Sequence, residues 1–190
     1  SFSIWSYINY IDQKQNVDSK VQEAVATAVL QENKKSEAAI EKYKNATTTL
    51  FVGPSDYGRL TFEYPKFWSA YQATDISEGG GATYEAYLNP VQVPPVTETT
   101  KFALRITIEE KTYDQSLADY QDQIEKGELK SSAYSDGIHT GTKLVGTFNE
   151  DIYGTAVLVK MRDRTLTVRT DGDVFKENFE TILKTVKFNE

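Results

Sequence analysis

The spacing of apolar residues changes once along the chain, from a helical spacing to the alternation of β-strands. This change limits the architecture to a helical part followed by a sheet-forming part. Residues 4–44 contain neither proline nor glycine, and they are rich in alanine, glutamate, glutamine and lysine. This composition favours a helix of about forty residues. Its apolar stripe is narrow, which is more typical of a stalk or a weak coiled coil than of a core element. Beyond residue 58 the apolar residues instead alternate with the period of two that indicates β-strands.

The alternating segments predict a sheet. The first strand is predicted at residues 60–64, where Pro65 ends it, and residues 68–73 are expected to return antiparallel to it. Residues 45–49 break both patterns and are predicted to be a hinge. Further strands are predicted at residues 84–88, 102–109, 143–148, 155–162 and 165–170.

Two helices are predicted within the sheet-forming part. One begins at Thr112, which forms a capping box with Gln115, and ends at Gly127. The other is capped by Asp173. Its apolar stripe comprises Phe175, Phe179, Ile182 and Val186. Short turns between neighbouring strands and two added helices predict an α+β fold, with an antiparallel sheet sandwiched by helices and preceded by the long N-terminal helix.

The chain is expected to have two parts, a helical stalk at residues 1–45 and an α+β domain at residues 46–190. The stalk is neutral, with six acidic residues and six lysines, so the net charge of −7 belongs to the domain. An acidic domain without a lysine or arginine stripe repels polyanions. Nucleic acid is therefore not an expected partner.

The chain contains no cysteine, and His139 is its single histidine. This composition excludes disulfides, thiolate catalysis and cysteine-ligated metals, and it leaves a hard cation held by carboxylates as the available metal chemistry. The segment Asp171-Gly172-Asp173 resembles the start of a calcium loop, but a helix is predicted to begin directly after it. No catalytic, cofactor-binding or metal-binding residue is predicted, and no cofactor is expected.

The first eleven residues are unusually rich in aromatic and branched apolar side chains. Tryptophan and tyrosine are enriched where a transmembrane helix leaves the bilayer. No apolar run reaches the eighteen or so residues that span a membrane. We interpret the segment as the remnant of a removed N-terminal anchor, which predicts a single-pass protein at the extracytoplasmic face of a bacterial membrane. The alternative is an amphipathic helix that packs on the domain or on a second copy.

Two segments resemble PsbP-like domains. Residues 58–68, GRLTFEYPKFW, resemble the first hairpin of that fold, and residues 175–188, FKENFETILKTVKF, resemble its terminal helix and last short strand. The resemblance implies an antiparallel sheet sandwiched by helices and a binding role without enzymatic activity. The whole chain, including VGPSDYGRLTFEYP at residues 52–65, further resembles single-pass membrane proteins of Saccharibacteria.

The best candidate for a contact surface is the long connection at residues 89–100, because loops of this length are uncommon unless they have a role. Its prolines are Pro90, Pro94 and Pro95, and Tyr84 and Tyr87 precede it. Since these tyrosines lie on opposite faces of one strand, only one of them can belong to the core.

The sequence is compatible with two functions. The first is a non-catalytic interaction module that engages a protein or a cell-envelope component, with the oligomeric state open. The second is a hydrolase that uses carboxylates or His139, with Ser135 as nucleophile and Asp136 as the group that orients the imidazole. The loop lacks a nucleophile elbow, and triads are normally assembled from distant segments, so the first function is favoured.

Overall fold

The computed structural model describes residues 47–75 and 83–189, together with exposed helical positions at 24–25, 27–28, 31–32, 34–35 and 37–38. The rest of the helix predicted for residues 4–44 lies outside the described residues, as does the Gly79–Gly81 segment. The chain divides into two compact units, residues 1–46 and residues 47–190. The second unit carries the sheet.

Two antiparallel sheets form in the second unit. A two-stranded sheet pairs β1 with β2, and a seven-stranded sheet has the order β3-β4-β5-β9-β8-β7-β6. The strands are β1 (Thr48–Val52), β2 (Thr61–Pro65), β3 (Trp68–Asp75), β4 (Thr83–Pro90), β5 (Leu104–Glu109), β6 (Leu129–Ser135), β7 (Thr140–Asn149), β8 (Ile152–Met161) and β9 (Arg164–Thr170). The helices are α1 (Tyr113–Ala118), α2 (Gln121–Glu125) and α3 (Lys176–Leu183). The predicted antiparallel α+β fold is confirmed for the described residues, with more sheet and less helix than expected.

The first face of the large sheet, which bears Leu104, Ile106 and Ile108, carries the main core. Helix α3 and the β1–β2 hairpin cover this face, and the ring of Phe51 stacks on Phe62 with centroids 4.5 Å apart. The hairpin is joined to the chain end through backbone hydrogen bonds between Thr61 and Lys187. Burying these side chains supplies most of the hydrophobic stabilisation of the domain.

The second face is covered in two different ways. Over β6, β7 and β8, helices α1 and α2 cover a smaller core that includes Leu144, Phe148 and Leu158. Over β3, β4, β5 and β9 the same face carries polar and aromatic residues. Strand register places four of them in one row across the sheet: Tyr71, Tyr87, Arg105 and Arg169. The connection after β4 lies beside this part of the sheet and leaves a groove.

Several predicted elements need correction. Residues 48–52, assigned partly to a hinge, form β1 and pair with β2, so the segment at 68–75 pairs with β4 instead of returning along β2. The reason is the aromatic packing of Phe51 on Phe62. Strand β6 was not predicted, because its sequence LKSSAYS is mostly polar and its side chains are largely exposed.

The helices also differ from the prediction in detail. The capping box of Thr112 and Gln115 is present, but the helix breaks near Asp119 into α1 and α2. Asp173 does not cap α3. It begins a short 3-10 turn, and Phe175 occupies the N-cap position without a side-chain hydrogen bond.

Substitution of Phe179 tests the first-face core. The ring is 0% exposed, so Phe179→Ala removes a fully buried side chain and leaves a cavity. We expect a loss of about 3–5 kcal/mol in the free energy of unfolding, measured by urea denaturation. The exposed neighbour Glu177 is the control, and Glu177→Ala should change the same quantity by less than about 0.5 kcal/mol. A loss below about 1 kcal/mol for Phe179→Ala would contradict this account of the core.

Candidate functional site

The groove on the second face is the candidate functional site. Its volume is about 640 Å³, which falls within the range of small-ligand and peptide sites. Strands β3 and β4 form its floor, and residues 92–96 form one wall. The lining is mainly apolar, and the side chains that matter most are those of Tyr71, Ala73, Glu85, Tyr87, Pro94 and Val96.

The wall of the groove is fixed to the sheet where it begins. Val91 has a φ of 63°, a backbone conformation that β-branched residues rarely adopt. Two hydrogen bonds hold it there: its N–H donates to the Phe67 carbonyl at 3.1 Å, and its carbonyl accepts from the Ser69 hydroxyl at 2.6 Å. The Asn89 side chain adds a bond from the Ala103 N–H at 3.1 Å. The start of the wall therefore has a defined position.

The far end of the connection is also tied down. The hydroxyl of Thr100 donates to the Pro95 carbonyl at 2.8 Å, and the Asn149 amide donates to the Glu98 carbonyl at 2.9 Å. The second bond joins the connection to the turn between β7 and β8. The long connection is thus a structured strap, with its proline-rich middle above the groove.

A buried carboxylate organises the sheet next to the strap. Asp171 has a fully buried side chain that accepts hydrogen bonds from the Phe102 N–H at 2.9 Å and from the Nε atoms of Arg105 and Arg169. The Nη2 of Arg105 donates to the carbonyl of Thr100. Burial lowers the pKa of Arg105 first of all, the charge of Arg169 lowers it further, and the Asp171 carboxylate opposes both. The cluster links β5, β9 and the strap.

Glu85 and Tyr87 form the polar part of the groove floor. The Tyr87 hydroxyl donates to Glu85 Oε2 at 2.7 Å. Burial raises the pKa of Tyr87, and the hydrogen bond and charge of Glu85 raise it further. The phenol therefore stays protonated and remains a hydrogen-bond donor. The Arg105 guanidinium lies over the Tyr87 ring, with its carbon 5.7 Å from the ring centre.

The predicted contact residues separate in the structure. Tyr87, Pro94 and Pro95 line the groove, whereas Pro90 ends β4 opposite Trp68 and lies outside the lining. Tyr84 is a correction: it is 0% exposed, its ring packs on Tyr57 in the first-face core, and its hydroxyl donates to Gln72 at 2.7 Å. Tyr87 is also buried, at 6% exposure, but it lies outside the main core cluster and lines the groove.

Sequence reasoning missed Tyr71 and Glu85, which share the groove floor with Tyr87. Tyr71 is 52% exposed, an unusual state for a tyrosine in the middle of a strand. The strand register brings these residues together: Tyr71 pairs with Tyr87, and two positions along the same face Ala73 pairs with Glu85. Predicting this grouping would have required knowing that β3 pairs with β4 and not with β2.

The His139 segment is a closed hairpin. Asp136 accepts hydrogen bonds from the Ile138 and His139 N–H groups, and its carboxylate lies 2.9 Å from His139 Nδ1. Burial raises the pKa of Asp136, but the bonds from His139 and Ile138 outweigh it and hold the pKa below its ordinary value.

The His139 side chain is largely shielded from solvent. Its ring stacks on Phe188 at 4.6 Å, and 9% of its side chain is exposed. The Ser135 hydroxyl accepts from the Gly137 N–H at 3.2 Å and is not hydrogen-bonded to the His139 ring. The imidazole has an orienting carboxylate, but the proposed nucleophile is used in turn closure.

The carboxylates do not gather into a metal site within residues 47–75 and 83–189, where no group of three or more potential ligands lies together. In the Asp171-Gly172-Asp173 segment, Asp171 binds the two arginines and Asp173 is exposed. Among the described residues, no helix is both long and apolar enough to cross a bilayer.

Comparison with known proteins gives one structural similarity. The solution structure of cyanobacterial PsbP (CyanoP) from Synechocystis sp. PCC 6803 matches this chain with a TM-score of 0.48 and 14% sequence identity, over 75% of this chain and 93% of that chain. The resemblance of residues 58–68 and 175–188 to PsbP-like domains stays a prediction from the sequence. No family model matches the chain, and no curated protein matches it in sequence.

Substitution of Asp171 tests the cluster beside the groove. Asp171→Asn leaves two largely buried guanidinium groups without a counter-charge, so the free energy of unfolding should fall by about 3–5 kcal/mol in urea denaturation. The exposed Asp173 provides the matched control, and Asp173→Asn should have almost no effect. Equal stabilities for the two variants would show that the cluster does not hold the strap and sheet together.

Proposed function

We propose that this chain is a non-catalytic interaction module at the extracytoplasmic face of a membrane, which captures an extended segment of a partner protein in the groove between β3, β4 and the strap. The observation that carries this proposal is the position of the groove beside an edge strand. β3 is the terminal strand of the seven-stranded sheet, and its residues 70–72 are exposed. The outward N–H and C=O groups of such a strand are available to pair with an added strand.

The lining of the groove suits a peptide. Tyrosine contributes a large, rigid contact area at low conformational-entropy cost, and Tyr71, which is 52% exposed, presents such an area beside the buried Tyr87. Pro94 and Val96 add apolar contact from the strap. Because the strap is already held by hydrogen bonds at both ends, binding need not order it first, which lowers the entropic cost of association.

The proposed membrane tether rests on the N-terminal sequence. Aromatic and branched apolar residues at positions 2–11 have the composition of a membrane-interface segment, and the proline- and glycine-free stretch up to residue 44 suits a helical spacer. The helix would span roughly 60 Å at 1.5 Å per residue. In this proposal the spacer carries the acidic domain away from the membrane and towards its partner.

Peptide selection on the full chain tests the groove. From a library of displayed random peptides, we expect enrichment of extended apolar sequences that bind the wild-type chain and bind Tyr71→Ser at least about tenfold more weakly. Tyr153 provides a matched control, since it is 51% exposed on β8 and lies far from β3 in the strand order. Peptides that bind Tyr71→Ser normally, or that lose binding to Tyr153→Ser instead, would place the interaction elsewhere.

Removal of the spacer tests the division of the chain. A chain that begins at Asn45 keeps β1 and the hydrogen bond from the Lys66 N–H to the Thr47 carbonyl. We expect it to fold with the same β-sheet signal in far-ultraviolet circular dichroism. Its melting temperature should lie within about 2 °C of that of the full chain. Unfolding, or strong binding of a hydrophobic dye, would mean that residues 1–44 belong to the domain core.

A further inference from the structure

The groove contains a carboxylate without a cationic partner. Glu85 lies on β4 in register with Ala73 on one side and Thr107 on the other, and it is partly buried. Its Oε2 accepts the Tyr87 hydroxyl, and within residues 47–75 and 83–189 no lysine, arginine or histidine forms an ion pair with it. Asp171, which directly follows β9 two strands from β4, has two arginines for its single charge.

The cation beside Tyr87 is already bonded elsewhere. The Arg105 guanidinium lies over the Tyr87 ring, but its Nε binds Asp171 and its Nη2 binds the Thr100 carbonyl. Covering Glu85 with an apolar ligand would remove water from the carboxylate without supplying a counter-charge, and that desolvation opposes binding. A ligand that fills this groove should therefore bind more tightly when it brings a positive charge to Glu85.

Strand geometry fixes the position of that charge. A strand added to β3 lies two strand spacings from β4, or about 10 Å. The residue opposite Ala73 would project towards Glu85 on the same face, and the methyl side chain of Ala73 leaves the path open. Only lysine and arginine are long enough to bridge such a distance while keeping an apolar stem along the sheet.

The same register defines a second position. Tyr71 pairs with Tyr87 two residues from Ala73, so a ligand residue two positions from the basic one would lie beside the exposed Tyr71 ring, at the groove that Val96 also lines. Apolar side chains fit that environment. We propose that the groove binds, as an added strand on β3, a protein segment that carries a lysine or arginine opposite Ala73 and an apolar residue two positions away. This inference rests on the proposed function and specifies the chemistry of the partner.

Peptide titration tests the inference on the isotope-labelled full chain. The probe is acetyl-Thr-Val-Thr-Lys-Thr-amide, and the control replaces lysine with norleucine, which keeps the stem and removes the charge. Binding is followed through the backbone amide shifts of β3 in NMR spectra at low salt. We expect both peptides to shift these amides and the lysine peptide to bind at least about tenfold more tightly.

Variants separate the charge pair from general electrostatics. Glu85→Gln should remove the preference for lysine, whereas Glu150→Gln, an exposed control with the same change in net charge, should preserve it. In Glu85→Lys a peptide with glutamate in place of lysine should bind preferentially, which also shows that the variant is folded. Equal affinities for the lysine and norleucine peptides would overturn the inference and leave the groove as a peptide site. An absence of β3 shifts with either peptide would contradict the proposed function itself.

Discussion

The buried carboxylate of Asp171 is the interaction on which the second face depends. It gathers the Phe102 N–H, Arg105 and Arg169 into one network with its oxygens fully shielded from water. Through Arg105 the network reaches the Thr100 carbonyl, and through the guanidinium it restrains the Tyr87 ring. A single acidic side chain thus holds β5, the end of β9 and the strap that forms one wall of the groove in fixed positions relative to one another. Because charge-assisted hydrogen bonds are stronger and more directional than neutral ones, this arrangement defines a shape as well as adding stability.

The strands that sequence predicted well are those whose alternation reflects a single buried face. In residues 104–108, Leu104, Ile106 and Ile108 are fully buried and alternate with partly exposed residues, as the pattern indicated. The Thr112 capping box was readable because its two residues are local in sequence. Elements held by distant partners were not readable. Strand β1 owes its position to Phe51 packing on Phe62, and β6 is polar because it is an edge strand over which little is buried.

The candidate site was half predictable for the same reason. The prolines and Tyr87 were chosen from local composition, and they do lie at or near the groove. Tyr71 and Glu85 join them only through cross-strand register, which a single sequence does not reveal. Alternation places Tyr84 and Tyr87 on opposite faces, but both are buried, at 0% and 6% exposure, and only the three-dimensional structure shows that Tyr84 joins the main core and Tyr87 lines the groove. The Arg105–Asp171 pair spans 66 residues of sequence and had no local signal.

The two edge strands of the seven-stranded sheet, β3 and β6, expose different kinds of side chain. Strand β6 presents Lys130, Ser131 and Ser132 to solvent, and a charge with small hydroxyls makes poor contact with another sheet. Strand β3 presents Tyr71 between Ala70 and Gln72, with no charged residue among the three. The residues of the β6 edge therefore disfavour pairing with another strand, whereas those of the β3 edge do not. In the proposed function, a partner strand would therefore add at the β3 edge of the sheet and not at the β6 edge, so the two edges give the domain a single orientation towards its partner.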